Sequence, residues 1–169
     1  AHYSKNSKNL KKIIKNNVFD NIKLIHCNFK EINEKKLKKK LKIFNKKFHV
    51  IINLVGYIDN KSYVGTNLKS LIDSIKINSL LPILIEQKNI NFMLKEKFGR
   101  IVNGSSIGVK FGGGKYSYNY TFSKHCMEFI PNNYKMWSKN NVLITNLRIG
   151  VTDTKIHKNL KKGMDMKSR

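Results

Sequence analysis

The sequence has 169 residues, 40% of them hydrophobic, and a formal net charge of +24 from 34 lysines and arginines against 10 aspartates and glutamates. This length and apolar content suit one globular domain with a packed core. Two cysteines without metal-ligand spacing exclude a disulfide scaffold and give no reason to expect a metal. The longest apolar stretches are too short to span a bilayer, and no signal segment is visible, so we expect a cytoplasmic protein without a membrane partner.

The positive charge first suggests nucleic-acid binding. Only three of the 34 basic residues are arginines, which leaves 31 lysines, whereas a dedicated reader of phosphates and base edges is expected to use more arginine. Lysine, asparagine and isoleucine abound, and all three have AT-rich codons. We interpret the charge as compositional bias on solvated helix faces and expect no specific nucleic-acid partner. A basic module that binds RNA or an anionic surface stays open as the alternative.

Hydrophobic spacing predicts the elements of the first part of the chain. In order they are a helix over residues 7–17 with Ser7 as its N-cap, a strand over 22–27, a lysine-rich amphipathic helix over 33–47 and a strand over 48–55. The last of these is a nearly continuous apolar run, which is typical of a strand buried on both faces of a parallel sheet.

The rest of the chain continues the alternation of helices and strands. A long helix is predicted over 67–97, a strand over 100–103, a glycine-containing loop over 104–115, a helix over 118–139 and a strand over 142–147. Pro131 is expected to bend or break the second of these helices. Strands that alternate with helices form right-handed β-α-β units, so the pattern predicts one α/β domain with a doubly wound, Rossmann-like parallel sheet.

Polar residues with chemical potential cluster after the strands, where ligands bind in such sheets. Ser105 and Ser106 follow one strand, and Tyr120 and Lys124 come soon after them. One helical turn separates Tyr120 from Lys124, so the phenol and the ammonium share a face. We expect the ammonium to lower the phenol pKa from about 10 towards neutrality, which would let Tyr120 exchange a proton with a carbonyl or alcohol oxygen.

These motifs, in this order over nearly the whole chain, resemble the short-chain dehydrogenase/reductase family. The matching segments are residues 51–56 for the family's Asn-Asn-Ala-Gly strand end, 100–108 for its catalytic-serine strand, Tyr120 with Lys124 for its active-site pair, and 147–154 for the segment that meets the nicotinamide. The resemblance implies an NAD(P)-dependent oxidoreductase that transfers a hydride between a nicotinamide cofactor and a carbonyl or alcohol, similar to 3-oxoacyl carrier protein reductases.

The resemblance also implies roles for four catalytic residues. Tyr120 would be the general acid/base, Lys124 would hold the nicotinamide ribose, and Ser106, rather than its neighbour Ser105, would orient the substrate carbonyl. Asn78 matches the family's helical asparagine. Because Pro82 has no N–H, the carbonyl of Asn78 loses its helical partner and would hold a water of a proton relay, with a plain helix kink as the alternative.

The residues that the resemblance places at the cofactor are spread over four strand ends. They are Ser4, Lys5, Asn28, Phe29, Asn53, Val55, Gly56, Gly150, Val151, Thr152 and Thr154, together with Tyr120 and Lys124. Where the family's second strand ends, an acidic residue would select NAD. None is present over residues 2–6, and Ser4 and Lys5 suit a 2′-phosphate, so NADP is preferred over NAD.

Two parts of the family pattern are missing from the chain. The glycine-rich turn that cradles the pyrophosphate is absent, as is the substrate region normally found after Lys155. We therefore expect a sheet incomplete at both ends, with its strands in two unconnected groups. The chain would then be the middle of a longer protein that forms homodimers or homotetramers. A catalytically inactive relative is a further alternative, against which the retained Ser106, Tyr120, Lys124 and Asn78 argue.

The missing central strand leads to a prediction about the isolated chain. We expect purified 169-residue protein neither to unfold cooperatively nor to bind NADPH tightly, because two strand groups with exposed edges lack the strand that joins them. Thermal unfolding followed by circular dichroism and a fluorescence titration with NADPH check this. A cooperative melt together with tight binding would contradict it.

Overall fold

The computed structural model describes residues 2–4, 7–16, 22–33, 35, 36, 39 and 47–152. The chain divides into two compact units, residues 1–46 and 47–169. Within the described residues the strands form one sheet of two strands and one of three, and every pairing is parallel. The predicted parallel α/β class is therefore confirmed, as is the expectation of two separate strand groups.

The first unit contains a small β-α-β arrangement. Strand β1 (His2–Tyr3) is followed by helix α1 (Lys8–Asn16) and strand β2 (Ile25–His26), and the two strands pair in parallel. The His2 ring stacks on buried Phe29, with ring centroids 4.5 Å apart, and bonds the Cys27 carbonyl through Nε2 at 2.7 Å. Most of the predicted lysine-rich helix over 33–47 lies outside the described residues.

The second unit is built on three strands in the order β3-β4-β5. Its elements in chain order are β3 (Val50–Asn53), α2 (Leu68–Ile75), a π-helical turn (Lys76–Leu80), α3 (Leu81–Lys95), β4 (Gly99–Ser106), α4 (Gly108–Phe111), α5 (Tyr118–Glu128), α6 (Tyr134–Lys139) and β5 (Val142–Ile149). The sheet packs against α3 through a core of Ile51, Ile90, Met93, Ile101 and Val142.

The long helix predicted over 67–97 is present as α2, the π-helical turn and α3 in direct succession. Asn67 caps its start, since its side chain accepts the N–H of Ser70 at 2.9 Å. At the end of the π-helical turn, the N–H of Leu81 donates to the carbonyl of Lys76, five residues back. Pro82 follows immediately, and a proline that cannot donate an N–H is a common cause of such local rearrangement.

Two sequence expectations about helices and strands have different outcomes. The helix predicted over 118–139 breaks near Pro131 as expected, since α5 ends at Glu128 and α6 begins at Tyr134. The expectation that β3 is buried on both faces is wrong. Ile51 and Asn53 face the core, whereas Val50 and Ile52 are 50% and 62% exposed. Only one face of β3 packs against the core that α3 forms with the sheet.

A row of asparagines crosses the sheet from the end of β3 to the middle of β4 and β5. The strand register aligns Asn53, Asn103 and Asn146. The amide of Asn53 donates to Asn103 Oδ1 at 2.8 Å, and that of Asn103 donates to Asn146 Oδ1 at 3.2 Å. At the β3 end, Asn53 Nδ2 also donates to the buried carboxyl of Glu86 on α3 at 2.7 Å. This hydrogen-bonded row fixes the strands' register where the candidate site lies.

The structure also bears on disulfides, membrane spans and metal sites. Both cysteines are free thiols. No helix in the described ranges is long and apolar enough to cross a membrane. Among those same residues, no group of three or more histidine, cysteine, aspartate or glutamate side chains could hold a metal ion.

The buried carboxyl of Glu86 makes stability depend on pH. Burial raises its pKa from 4.5 to about 7, against smaller lowering effects of hydrogen bonds from Asn103 and Asn53. The folded protein thus holds this proton more tightly than the unfolded chain. The stabilisation is complete below the unfolded pKa and is lost as the pH rises through about 7, a loss of about 3 kcal/mol.

We expect Glu86→Gln, which keeps an acceptor but cannot ionise, to remove this loss. The measurement is made on the full-length protein to which this chain belongs. Between pH 4 and 8, urea unfolding should show the wild type losing about 3 kcal/mol of unfolding free energy relative to Glu86→Gln. Glu96→Gln, at an exposed carboxyl after α3, is the control and should follow the wild type. Parallel pH profiles for the wild type and Glu86→Gln would show that Glu86 does not hold a proton in the fold.

Candidate active site

The start of α5 is shaped by the glycine loop before it. Gly113 has a φ of +74°, and a Cβ there would collide with the Thr121 hydroxyl and lie 2.8 Å from that of Ser117. Only glycine fits this turn without strain. The Ser117 hydroxyl in turn accepts the N–H of Gly114 at 2.8 Å. The loop is thereby held against the first turn of α5, which carries Tyr120.

Tyr120 and Lys124 lie one turn apart on α5, as predicted, and the Lys124 ammonium lies over the Tyr120 ring, 5.8 Å from its centroid. Lys124 is 1% exposed. Its Nζ donates to the carbonyl of Val55 at 2.8 Å and to that of Gly104 at 2.6 Å. One side chain thus fastens α5 to the chain just after β3 and to the end of β4.

The two serines at the end of β4 point in different directions, because successive side chains of a strand alternate. Ser106 hydrogen-bonds the phenol of Tyr120, and its Oγ accepts the N–H of Gly108 at 3.1 Å. Ser105 is buried, and its hydroxyl donates to Glu128 Oε1 at 2.5 Å. The structure therefore brings Ser106, rather than Ser105, to Tyr120.

The pKa values of the Tyr-Lys pair are governed by burial. Burial raises the pKa of Tyr120 above its usual 10, while the hydrogen bond from Ser106 acts in the opposite direction. Burial also lowers the pKa of Lys124 to about 8. The expected lowering of the phenol pKa is wrong. The ammonium donates to two backbone carbonyls, and the desolvation of the phenolate outweighs any attraction to it.

Asn78 is fully buried in the π-helical turn, and its side chain holds the loop after β3. Its Oδ1 accepts the N–H of Tyr57 at 2.8 Å, and its Nδ2 donates to the Tyr57 carbonyl at 2.9 Å. Nδ2 also donates to Ser123 Oγ on α5 at 2.9 Å. The side chain thus joins the loop to the helix of Tyr120. The relay role of the Asn78 carbonyl stays a prediction.

The cofactor residues predicted in the second unit lie in two places. Asn53 is buried with its amide engaged in the sheet, Val55 offers its carbonyl to Lys124, and Gly56 is exposed after them. Residues 150–152 are exposed after β5, where a Cβ on Gly150 would meet nothing within 4 Å. Thr154 lies outside the described residues.

The cofactor residues predicted in the first unit are partly engaged in local contacts. Ser4 is exposed after β1. Asn28 donates from Nδ2 to Glu31 Oε1 at 2.6 Å, within its own turn, and Phe29 is buried in the core of the unit. Lys5 lies outside the described residues. The cofactor roles of all these residues stay predictions.

Two acidic residues of this region were missed by sequence reasoning. Glu86 lies at one end of the asparagine row. Glu128, at the end of α5, accepts hydrogen bonds from Ser105 and Arg148. The available signal was their rarity, since acids number 10 against 34 basic residues. An acid inside a helix of such a chain is a reason to look for a specific partner.

The parallel sheet, with Ser106, Tyr120 and Lys124 beside its strand ends, is that of a Rossmann-like α/β protein. Comparison with known families leads to the same class. The sequence profile described as short chain dehydrogenase matches residues 2–165. The chain belongs to the short-chain dehydrogenase family, which is a family of oxidoreductases.

A curated relative supports the assignment to the short-chain dehydrogenase family. The 3-oxoacyl-(acyl-carrier-protein) reductase FabG of Aquifex aeolicus is 31% identical over 121 residues, which cover 65% of this chain and 48% of that protein. The chain thus matches about half the length of this curated relative.

Solved structures share the fold at low identity. A putative gluconate dehydrogenase from Agrobacterium tumefaciens has a TM-score of 0.78 at 14% identity, covering 96% of this chain and 65% of that one. A 3-oxoacyl (acyl-carrier-protein) reductase from the same organism, with NADP bound, has a TM-score of 0.75 at 14% identity, covering 95% and 63%. These similarities confirm the Rossmann-like fold class.

The contacts of Asn78 give a testable stability effect. Asn78→Leu keeps the volume of the side chain but removes both hydrogen bonds to the Tyr57 backbone, so we expect a loss of about 2 kcal/mol in the intact protein. Asn91→Leu, at an exposed position of α3, is the matched control and should change stability little. Urea unfolding measures both. Equal effects of the two substitutions would contradict the conclusion that Asn78 holds the loop after β3.

Proposed function

We propose that the protein is an NAD(P)-dependent oxidoreductase that transfers a hydride between a nicotinamide cofactor and a carbonyl or alcohol substrate. The observation that carries the proposal is the arrangement of Tyr120, with its phenol hydrogen-bonded to Ser106 and the Lys124 ammonium over its ring. A proton donor, a hydroxyl that can orient an oxygen, and a fixed cation are the parts that carbonyl reduction requires of a protein.

The chemistry of Lys124 fits a bound ribose. An ammonium has three N–H donors, and the carbonyls of Val55 and Gly104 take two of them. The third is suited to a ribose hydroxyl beside these strand ends. Gly56 and Gly150, exposed at the same ends of the strands, leave room for the rest of the cofactor. When bound, the nicotinamide supplies or accepts the hydride.

The proton is handled by Tyr120. Its raised pKa keeps the phenol protonated at neutral pH, so it is ready to donate a proton to a carbonyl oxygen as negative charge develops there. Ser106 donates a hydrogen bond at the same position and orients that oxygen. Asn78 holds the loop after β3 in place, and its carbonyl would hold the water that returns a proton to the site. Alcohol oxidation requires the phenolate and is favoured at higher pH.

We prefer NADP over NAD as the cofactor and a 3-oxoacyl thioester as the substrate. The support for NADP is the solved Agrobacterium reductase with NADP bound, together with Ser4, which is exposed after β1, and Lys5, the next residue in the sequence. The support for the substrate is the similarity to the Aquifex 3-oxoacyl-(acyl-carrier-protein) reductase.

We also propose one domain, a homodimer or homotetramer of the full-length protein, and a cytoplasmic location. Support for assembly comes from the exposed apolar residues of α2 and α5, which include Leu68, Ile72 and Phe122, since such surfaces mark interaction sites. Support for the location comes from Cys27 and Cys126, which are both free thiols, as is usual in a reducing compartment.

Substitution of the proposed acid/base tests the function directly. Tyr120→Phe in the intact protein should lower kcat for NADPH-dependent reduction of a 3-oxoacyl thioester by about 10²–10⁴-fold, because the proton donor is lost while the ring still fills its place. NADPH oxidation with a panel of carbonyl compounds measures it.

The control for this experiment is Tyr134→Phe on α6, which lacks a role in the proposed site and should leave turnover unchanged. Unchanged turnover in Tyr120→Phe would overturn the role of Tyr120. Salt-sensitive RNA binding by a wild-type protein without turnover would instead favour the basic binding module.

A further inference from the structure

Glu128, at the last residue of α5, contacts two of the strand ends that form the proposed site. Its Oε1 accepts the hydroxyl of Ser105 at 2.5 Å, on β4. Arg148, on β5, binds the carboxylate with two nitrogens, Nε to Oε1 at 3.0 Å and an Nη to Oε2 at 2.7 Å. The backbone carbonyl of Glu128 accepts Asn146 Nδ2 at 3.0 Å, also from β5. One residue thus joins the helix of Tyr120 to both strands.

Helix stability does not explain this carboxylate. The C-terminal end of a helix is the negative end of its dipole and disfavours an acid there. The carboxylate is kept ionised by its partners instead: the hydrogen bond from Arg148 lowers the pKa of Glu128 most, against the raising effect of burial. The Glu128 side chain is 13% exposed, whereas that of Arg148 is 45% exposed. An ion pair this open to solvent adds little to stability, so its fixed two-nitrogen geometry is the informative feature.

We propose that Glu128 is a positioning residue for the oxidoreductase reaction, which sets the placement of α5 against the ends of β4 and β5. This inference rests on the function proposed above. Ser105 and Ser106 are adjacent in β4, so a hydrogen bond that fixes the Ser105 hydroxyl also fixes the peptide from which Ser106 points towards Tyr120. Arg148 acts in the same way on β5, two residues before Gly150.

The effect passes from Glu128 to the proton of Tyr120. The hydrogen bond from Ser106 favours the charged form of the phenol and lowers its pKa. The Lys124 ammonium, on the same helix, lies over the phenol ring. When Ser105 or Glu128 no longer holds the end of β4, the Ser106 hydroxyl is less well placed and the pKa of Tyr120 rises. Small displacements of reacting groups also lower kcat.

The test uses Glu128→Leu, Ser105→Ala and the control Glu96→Gln in the intact protein. Activity is measured with NADPH and a short 3-oxoacyl thioester, and in reverse with NADP⁺ and the 3-hydroxyacyl thioester. We expect Glu128→Leu and Ser105→Ala to lower kcat by about tenfold with an unchanged KM for NADPH. The rise of alcohol oxidation with pH should move to higher pH in both. Glu128→Gln, which can still accept the Ser105 hydroxyl, should retain more of kcat, and Glu96→Gln should match the wild type.

A second readout is independent of activity. The phenolate absorbance of each protein, minus that of its Tyr120→Phe counterpart, reports the pKa of Tyr120 alone. We expect this pKa to rise in Ser105→Ala, the smallest change, even if Glu128→Leu does not fold. An unchanged Tyr120 pKa and an unchanged kcat in Ser105→Ala would overturn the positioning role. A wild-type protein without turnover, but with the expected pKa change, would leave the contact correct and the oxidoreductase function wrong.

Discussion

The buried ammonium of Lys124 is the contact on which the arrangement of the site depends. A lysine that is 1% exposed loses its hydration, which is costly unless polar groups replace the water. The carbonyls of Val55 and Gly104 do so, the first just after β3 and the second near the end of β4. Helix α5 is therefore held against the sheet at this point. Tyr120, one turn earlier, is carried to the hydroxyl of Ser106 by the same constraint.

Around this contact the support is polar rather than hydrophobic. The row of Asn53, Asn103 and Asn146 ties three strands together and ends at Glu86 on one side and at the Glu128 carbonyl on the other. The two acids are in opposite states because their surroundings differ. Burial without a cation raises the pKa of Glu86, whereas Arg148 lowers that of Glu128. A network of this kind specifies one register, since a shifted strand would leave its buried amides unpaired.

Some features of this structure follow from local sequence and others do not. The i, i+4 spacing was sufficient to place Tyr120 and Lys124 on one face, because helix geometry is local. The break near Pro131 was equally predictable, since proline acts on its own backbone. The one-sided burial of β3 was not predictable, because an apolar run shows only what each residue prefers, and the burial of Val50 and Ile52 depends on what packs over them.

Local sequence was enough to predict the alternation of strands and helices, the parallel α/β class, the family and the Ser, Tyr, Lys and Asn side chains of the candidate site. These follow from local periodicity and from motifs in a characteristic order. The upward shift of the Tyr120 pKa and the separate partners of Ser105 and Ser106 became visible only in the three-dimensional structure. The same holds for the contacts of Glu86 and Glu128. Each of these depends on burial and on contacts between residues far apart in the chain, and local sequence carries no measure of either.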